Sequence, residues 1–154
     1  MLAAAHGALA RVEALIAWHV DVNAASNAGG ITALFWASGW GHVEVVRALL
    51  AAGAGVNAAD DDGNTMLIFA SYNGHVEVAR ALLAAGTGVD AANNDDDTAL
   101  FTASYRGHVE VVRVLLAAGA DKHLIALNGD TAYSDAANTP GSTDAIRALL
   151  DLAS

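Results

Sequence analysis

Apolar and polar positions alternate along this chain with the period of an amphipathic helix, and the whole pattern repeats. Residues 75–85 place their Val and Leu side chains on one face, with Glu77 and Arg80 pointing away. Nearly the same letters occupy 41–53, 74–86 and 107–119, so both intervals are 33 residues long. Since these segments are shorter than the roughly 12 to 15 residues that an isolated helix needs, the pattern predicts short helices that are stable only when units stack.

Turn-forming residues separate the predicted helices. A unit begins with a polar cluster, continues through a shorter helix to a glycine, and ends at a second glycine after the longer helix. We therefore predict a single repeat domain over 1–154. Its predicted parts are an N-terminal partial repeat or cap at 1–26, repeats at 27–59, 60–92 and 93–125, and a C-terminal capping repeat at 126–154.

A helix at the end of the chain has the polarity of a cap. It is expected to begin at Ser142 or Thr143 and to end at Leu152. The side chains expected to face the array are Ile146, Leu149 and Leu150, and those expected to face water are Asp144, Arg147 and Asp151. A terminal unit needs this polar outer face to stay in solution.

The repeated unit resembles an ankyrin repeat. The family's Thr-Pro-Leu position holds Thr32-Ala33-Leu34, Thr65-Met66-Leu67, Thr98-Ala99-Leu100 and Thr131-Ala132-Tyr133, and 53–58 close a unit as the family does. The resemblance covers nearly the whole chain. It implies an all-α, ankyrin-type α-solenoid of helix-turn-helix repeats joined by short β-hairpin-like loops, in which each of these threonines caps the first helix.

Several positions depart from the family pattern. The family's His after Leu is replaced by Phe35, Ile68, Phe101 and Ser134. Asp96 stands where other units have a turn glycine, so a left-handed backbone is expected there at some cost. One extra residue precedes Ile31, so the first loop should differ from the others.

Composition narrows the possible partners. The chain has 17 acidic and 7 basic residues, a formal charge of −10 and no cysteine. This charge disfavours nucleic acid and favours a basic partner. The absence of a leader or of an apolar run of about 20 residues argues against a membrane and for a cytoplasmic protein.

Two recurring polar positions, one His and one Ser in each unit, have structural explanations. His42, His75 and His108 occur once per unit, and units about 10 Å apart cannot share one metal ion. The resemblance implies that these imidazoles bond locally between loops. At Ser38, Ser71 and Ser104 the family usually has a buried Ala, so each hydroxyl is expected to bond to the preceding helical turn.

Two runs of carboxylates, 60–62 and 95–97, raise the question of a cation site or an acid/base pair. Counted from Asp60, the sixth and twelfth positions of a calcium loop would be Thr65 and Ser71, so that motif fails. A solvated turn or a partner contact is the favoured explanation. No catalytic, cofactor-binding or metal-binding residues are expected, since the chain contains no phosphate-binding, dinucleotide-binding or hydrolase motif.

The resemblance also implies where a partner would bind, namely on the hairpin tips and the exposed side of the first helix. The candidate partner-binding residues are Trp40, Asp61, Asp62, Asn64, Tyr72, Asn73, Asp95, Asp97, Tyr105 and Arg106. The same surface takes in Ala28, Gly29, Ile31, Gly39 and Asn94. Trp36 is left out because it is expected to pack between helices. Aromatic and Arg side chains would be the anchors, and the Asp residues would steer a basic protein or peptide.

Three other interpretations stay open. The chain could be a structural or self-assembling array, a monomer or weak homodimer that associates through apolar residues around Leu2, Leu9 and Trp18. It could be an engineered ankyrin scaffold with no natural ligand. An enzyme or metal protein on a repeat frame is the least favoured of the three.

Overall fold

The computed structural model describes residues 1–26, 29–135 and 143–152, and their regular structure is helical. The helices are α1 Leu2–Ala5, α2 Leu9–Ala17, α3 Ala33–Gly39, α4 Val43–Ala51, α5 Met66–Tyr72, α6 Val76–Ala84, α7 Ala99–Tyr105, α8 Val109–Ala117, α9 Ala132–Asp135 and α10 Thr143–Leu152. The all-α prediction is confirmed. The last helix begins at Thr143, and the alternative start, Ser142, lies outside the described residues.

Threonine side chains start the first helix of each unit, as predicted. The hydroxyl oxygens of Thr32, Thr65, Thr98 and Thr131 each accept a hydrogen bond, at 3.2 Å, from the backbone N–H three residues later. This bond satisfies one of the N–H groups that a helix start leaves without a partner. In the last unit, the N–H of Thr131 in turn donates to the hydroxyl oxygen of Ser134 at 2.8 Å, so the capping is reciprocal.

The helices form two layers. The shorter first helices α1, α3, α5, α7 and α9 pack in series, and the longer second helices α2, α4, α6, α8 and α10 pack in series behind them. In the second helices, Leu49, Leu82 and Leu115 are fully buried, whereas their neighbours Leu50, Leu83 and Leu116 are half-buried. The apolar face predicted for the longer helices is therefore confirmed, but its two Leu positions are not buried equally.

A hydrogen bond across the hairpin tip recurs in every unit. The N–H of Asp60 donates to the carbonyl of Asn64 at 3.1 Å, and equivalent bonds close the two later tips. In the first tip the bond joins Ser26 to Ile31, which encloses one residue more and confirms the predicted insertion. Isolated antiparallel bridges, Ala59 with Thr65 and Ile125 with Thr131, give two of the tips their hairpin character.

Histidines connect each unit to the one before it. The Nε2 atoms of His42, His75 and His108 donate to the carbonyls of Ala5, Gly39 and Tyr72 at 3.0, 3.0 and 2.9 Å. Each imidazole lies against a glycine of the preceding unit: a Cβ added to Gly41 would stand 2.7 Å from the His75 ring, and Gly41 has a φ of +76°. These glycines are therefore required by both close approach and backbone conformation.

Two expectations about polar side chains are wrong. The Ser38, Ser71 and Ser104 hydroxyls are buried and have no hydrogen-bond partner among the described residues, so they do not bond to the preceding turn. Arg147 does not simply face water. It is half-buried, with its guanidinium 5.7 Å from the centre of the Tyr133 ring, because α10 packs back on α9.

Candidate protein-binding groove

A cavity of about 640 Å³ lies between α5 and α7 and the tip that precedes α9. Apolar side chains form its walls and polar ones lie along its tip side. It is lined by Asn64, Ile68, Phe69, Tyr72, Asn93, Asp95, Asp97, Phe101, Thr102, Tyr105, Leu127 and Asn128. We call it cavity A. Its size falls within the roughly 300 to 1,000 Å³ typical of ligand pockets.

A smaller cavity of about 440 Å³, cavity B, lies one repeat earlier between α3 and α5. It is lined by Ile31, Phe35, Trp36, Gly39, Trp40, Asp60, Phe69, Asn73 and His75. Phe69 lines both cavities and therefore forms the wall between them. Its ring is held against Phe35, with the ring centres 4.8 Å apart at a tilt of 57°. Cavities A and B together form a groove face that crosses three successive first helices.

The structure brings most of the predicted partner-binding residues onto this groove face. Asn64, Tyr72, Asp95, Asp97 and Tyr105 line cavity A, whereas Trp40 and Asn73 line cavity B. Asp61, Asp62 and Arg106 line neither. The Arg106 guanidinium lies 4.4 Å from the centre of the Tyr72 ring, which is one of the side chains that line cavity A. Of the wider set, Ala28 lies outside the described residues.

The tips are held by one side chain each. In the second repeat, Oδ1 of Asp60 accepts the N–H groups of Asp62 and Asn64 at 3.1 and 2.8 Å. In the third, Oδ1 of Asn93 accepts those of Asp95 and Asp97 at 3.0 and 2.9 Å. Since Asp60 and Asn93 already stabilise the tips through these Asx turns, the other carboxylates of the tips are not needed for folding them.

Three of those carboxylates are available to a partner. The side-chain oxygens of Asp61, Asp62 and Asp95 have no hydrogen-bond or ion-pair partner in the part of the chain that the structure describes. All three residues are exposed. In contrast, the Glu and Arg residues of α4, α6 and α8 pair with each other, as in Glu44 with Arg47 at 2.9 Å.

Several groove residues were missed by the sequence analysis, and the expectation that Trp36 packs between helices is wrong. Its side chain is 37% exposed and lines cavity B. Phe69 and Thr102 occupy the equivalent positions of the next two units and line cavity A. The 33-residue spacing could have identified these groove residues, because Phe69 and Thr102 follow Trp36 at that interval. Leu127 and Asn128 were missed because the last unit was treated only as a cap.

Among residues 1–26, 29–135 and 143–152, no group of three His, Cys, Asp or Glu side chains is arranged to hold a metal ion. None of the described helices combines the length and the apolar character that crossing a bilayer requires.

Stacked helix pairs with capped starts and tips that project to one side define a helical repeat solenoid. The family model of ankyrin repeats, which spans three copies, matches residues 1–93 and 83–154. The chain therefore belongs to the ankyrin repeat family. Ankyrin repeats generally mediate protein–protein interaction, and the family is a non-catalytic interaction module.

Proposed function

We propose that this protein is a non-catalytic scaffold that binds a basic protein or peptide on its groove face. The observation that supports this most is cavity A, whose lining combines the aromatic rings of Tyr72 and Tyr105 with the carboxylates of Asp95 and Asp97. An apolar floor provides a favourable place to bury a side chain, and the adjacent acids attract a cation. A cytoplasmic location is part of this proposal, because ankyrin repeats are commonly intracellular.

The exposure of the aromatic residues supports a binding role. Trp40, Tyr72 and Tyr105 are 60%, 41% and 52% exposed, so they are not needed to fill the core. Large aromatic side chains that become buried on association dominate the energetics of many interfaces. We therefore propose these three residues as the main contacts of the partner.

The test is the double variant Trp40→Ala/Tyr105→Ala, used to capture a partner from a lysate of the source cells. Loss of both anchors is expected to weaken capture by at least about 30-fold, since even a single hot-spot residue contributes about 2 kcal/mol or more. Helical circular dichroism should be unchanged because both side chains are exposed. The matched control is Trp18→Ala, which removes an aromatic residue that is 80% exposed and lies outside both cavities.

Two results would contradict this proposal. Undiminished capture by the double variant would place the binding surface elsewhere on the molecule. Failure of the unsubstituted protein to capture anything above an unrelated control would favour a scaffold without a natural ligand.

The N-terminal end supports a second candidate function, self-association. Leu2 and Trp18 are 79% and 80% exposed there, beside an apolar pocket of about 240 Å³. Leu9, which was expected to belong to this surface, is instead half-buried against the core. Such an exposed apolar surface favours association with a second copy.

A further inference from the structure

The groove face changes character in one direction along the repeats. The residue before the capping Thr is Ile31, then Asn64, then Asp97, then Asp130 at successive units. The series runs from an apolar side chain through an amide to carboxylates. On the first helix, the equivalent series is Trp36, Phe69 and Thr102, so the aromatic side chains also give way to a small polar one.

Cavity B, at the apolar end, is lined by one carboxylate, whereas two carboxylates line cavity A. Its carboxylate, Asp60, is already satisfied by the N–H groups of Asp62 and Asn64 and by the Asn64 amide at 3.2 Å. The charged residues of 27–59 are Glu44 and Arg47, which pair with each other on α4. An occupant of cavity B would therefore be selected by the rings of Trp36 and Trp40.

Cavity A, at the other end, combines an apolar floor with charge. Phe69 and Phe101 line the floor, while Asp95 and Asp97 lie on the tip side. Arg106 follows the last residue of α7, whereas Asp97 precedes its capping Thr, so the length of the helix, about 10 Å, separates this cation from the acids. A basic group can thus reach the tip side of cavity A without meeting Arg106.

We propose that the ligand is an extended peptide segment, bound across the repeats in one fixed direction, with an apolar residue in each cavity and Lys or Arg at Asp95 and Asp97. This inference rests on the proposed function, since it concerns the same face. First helices of neighbouring units lie about 10 Å apart, and a peptide in the extended polyproline II conformation advances about 3.1 Å per residue and brings every third side chain to the same face. The two apolar residues are therefore about three positions apart, and the basic residue lies beyond the one in cavity A.

The experiment uses a random 12-residue peptide library displayed on phage and selected against the full chain. We expect enriched sequences to share two apolar residues about three apart, with Lys or Arg beyond one end. A synthetic peptide of the consensus is then titrated against variants by fluorescence anisotropy. Asp95→Asn/Asp97→Asn should weaken its binding on the order of tenfold, because two partly exposed ion pairs are lost.

Matched variants distinguish the effect of the carboxylates that line cavity A from the effect of the overall negative charge of the protein. Asp61→Asn/Asp62→Asn removes the same charge from the neighbouring tip, at two residues that line neither cavity, and should weaken binding less than about threefold at physiological salt. Trp36→Ala/Trp40→Ala should weaken binding about 30-fold or more while leaving the preference for Lys or Arg in a repeated selection unchanged. The same selection against Asp95→Asn/Asp97→Asn should lose that preference.

The direction of the bound peptide along the repeats is determined by photo-crosslinking, with benzoylphenylalanine placed at either end of the consensus peptide. We expect mass spectrometry to find adducts from the apolar end within 31–40 and from the basic end within 93–106. Adducts from both ends in both regions, or the same loss from both Asp pairs, would overturn the directional inference while leaving groove binding intact. Peptides that bind Trp40→Ala/Tyr105→Ala as well as the unsubstituted chain, or no enrichment at all, would instead refute the proposed function and this inference with it.

Discussion

At the scale of single residues, local backbone requirements were the easiest features to predict. The four capping threonines and the conformation of Asp96 follow from their position in the repeat, because turn and cap geometry depends on only a few neighbouring residues. Asp96 indeed has a φ of +59°. The serine hydroxyls were predicted wrongly because whether a hydroxyl reaches a carbonyl depends on its rotamer and on packing that the sequence does not specify.

Asp96→Gly is expected to stabilise the protein. Glycine adopts a positive φ without the steric cost that a Cβ brings, so the gain should be about 1 kcal/mol. Thermal unfolding should show a rise in Tm of about 2 to 4 °C for a chain of this size.

The reverse substitution, Gly129→Asp, is the matched control. Gly129 has a φ of +86°, and nothing lies within 4 Å of the Cβ that would be added. It should lower the Tm through conformation alone. A Tm that falls in Asp96→Gly would mean that the Asp side chain contributes an interaction larger than the conformational cost.

At the scale of the helix, periodicity predicts which face is buried but not how deeply. Leu82 and Leu83 are adjacent on the same face of α6, and the spacing of apolar residues gave them equal weight. In the structure Leu82 is fully buried, whereas Leu83 is half-buried. The difference arises because Leu82 faces the centre of the two layers, and the position of that centre depends on how neighbouring units pack.

Leu82→Ala is expected to cost about 2 to 5 kcal/mol of unfolding free energy, since it removes a buried side chain and leaves a cavity. Leu83→Ala, its sequence neighbour, should cost clearly less because part of that side chain already contacts water. Urea unfolding followed by circular dichroism measures both. Equal losses from the two variants would show that burial in the stack does not determine the contribution of these two Leu positions.

Trp36 shows the same limit on the first helix. It follows the buried Phe35, and one helical step of about 100° turns it from the core to the groove face. Comparison with Phe69 and Thr102 at 33-residue spacing would have placed it correctly, because equivalent residues of a solenoid lie on the same face.

At the scale of the whole molecule, the fold was predictable because the same pair of helices recurs several times along the sequence. The cavities were not, because each is formed between units: cavity A combines side chains of α5 and α7 with Leu127 from a later tip. Such a space depends on the relative placement of elements about 30 residues or more apart in sequence. Which of the predicted residues contact a partner stays a prediction, as do the limits drawn between units.

The exposed apolar residues of the N-terminal end lead to an expectation about the oligomeric state of the protein. If Leu2 and Trp18 form a self-association surface, light scattering should show an average mass that increases with protein concentration. Leu2→Ser/Trp18→Ser should abolish that increase, whereas Trp40→Ala, which removes an exposed aromatic of the groove, should leave it unchanged. A constant monomer mass over the accessible concentration range would refute this candidate function.

The histidine bonds between units have a consequence for how such a chain can change in length. His42, His75 and His108 each bond backwards to a carbonyl of the unit before, and each comes with the same glycine in its own unit. An in-frame duplication of 60–92 would therefore carry its own histidine, which can bond to the unit before it. It would also carry its own glycine, against which the histidine of the next unit can pack. The binding surface could therefore lengthen by one repeat at a time through recombination. The new junctions between units would need no compensating substitution.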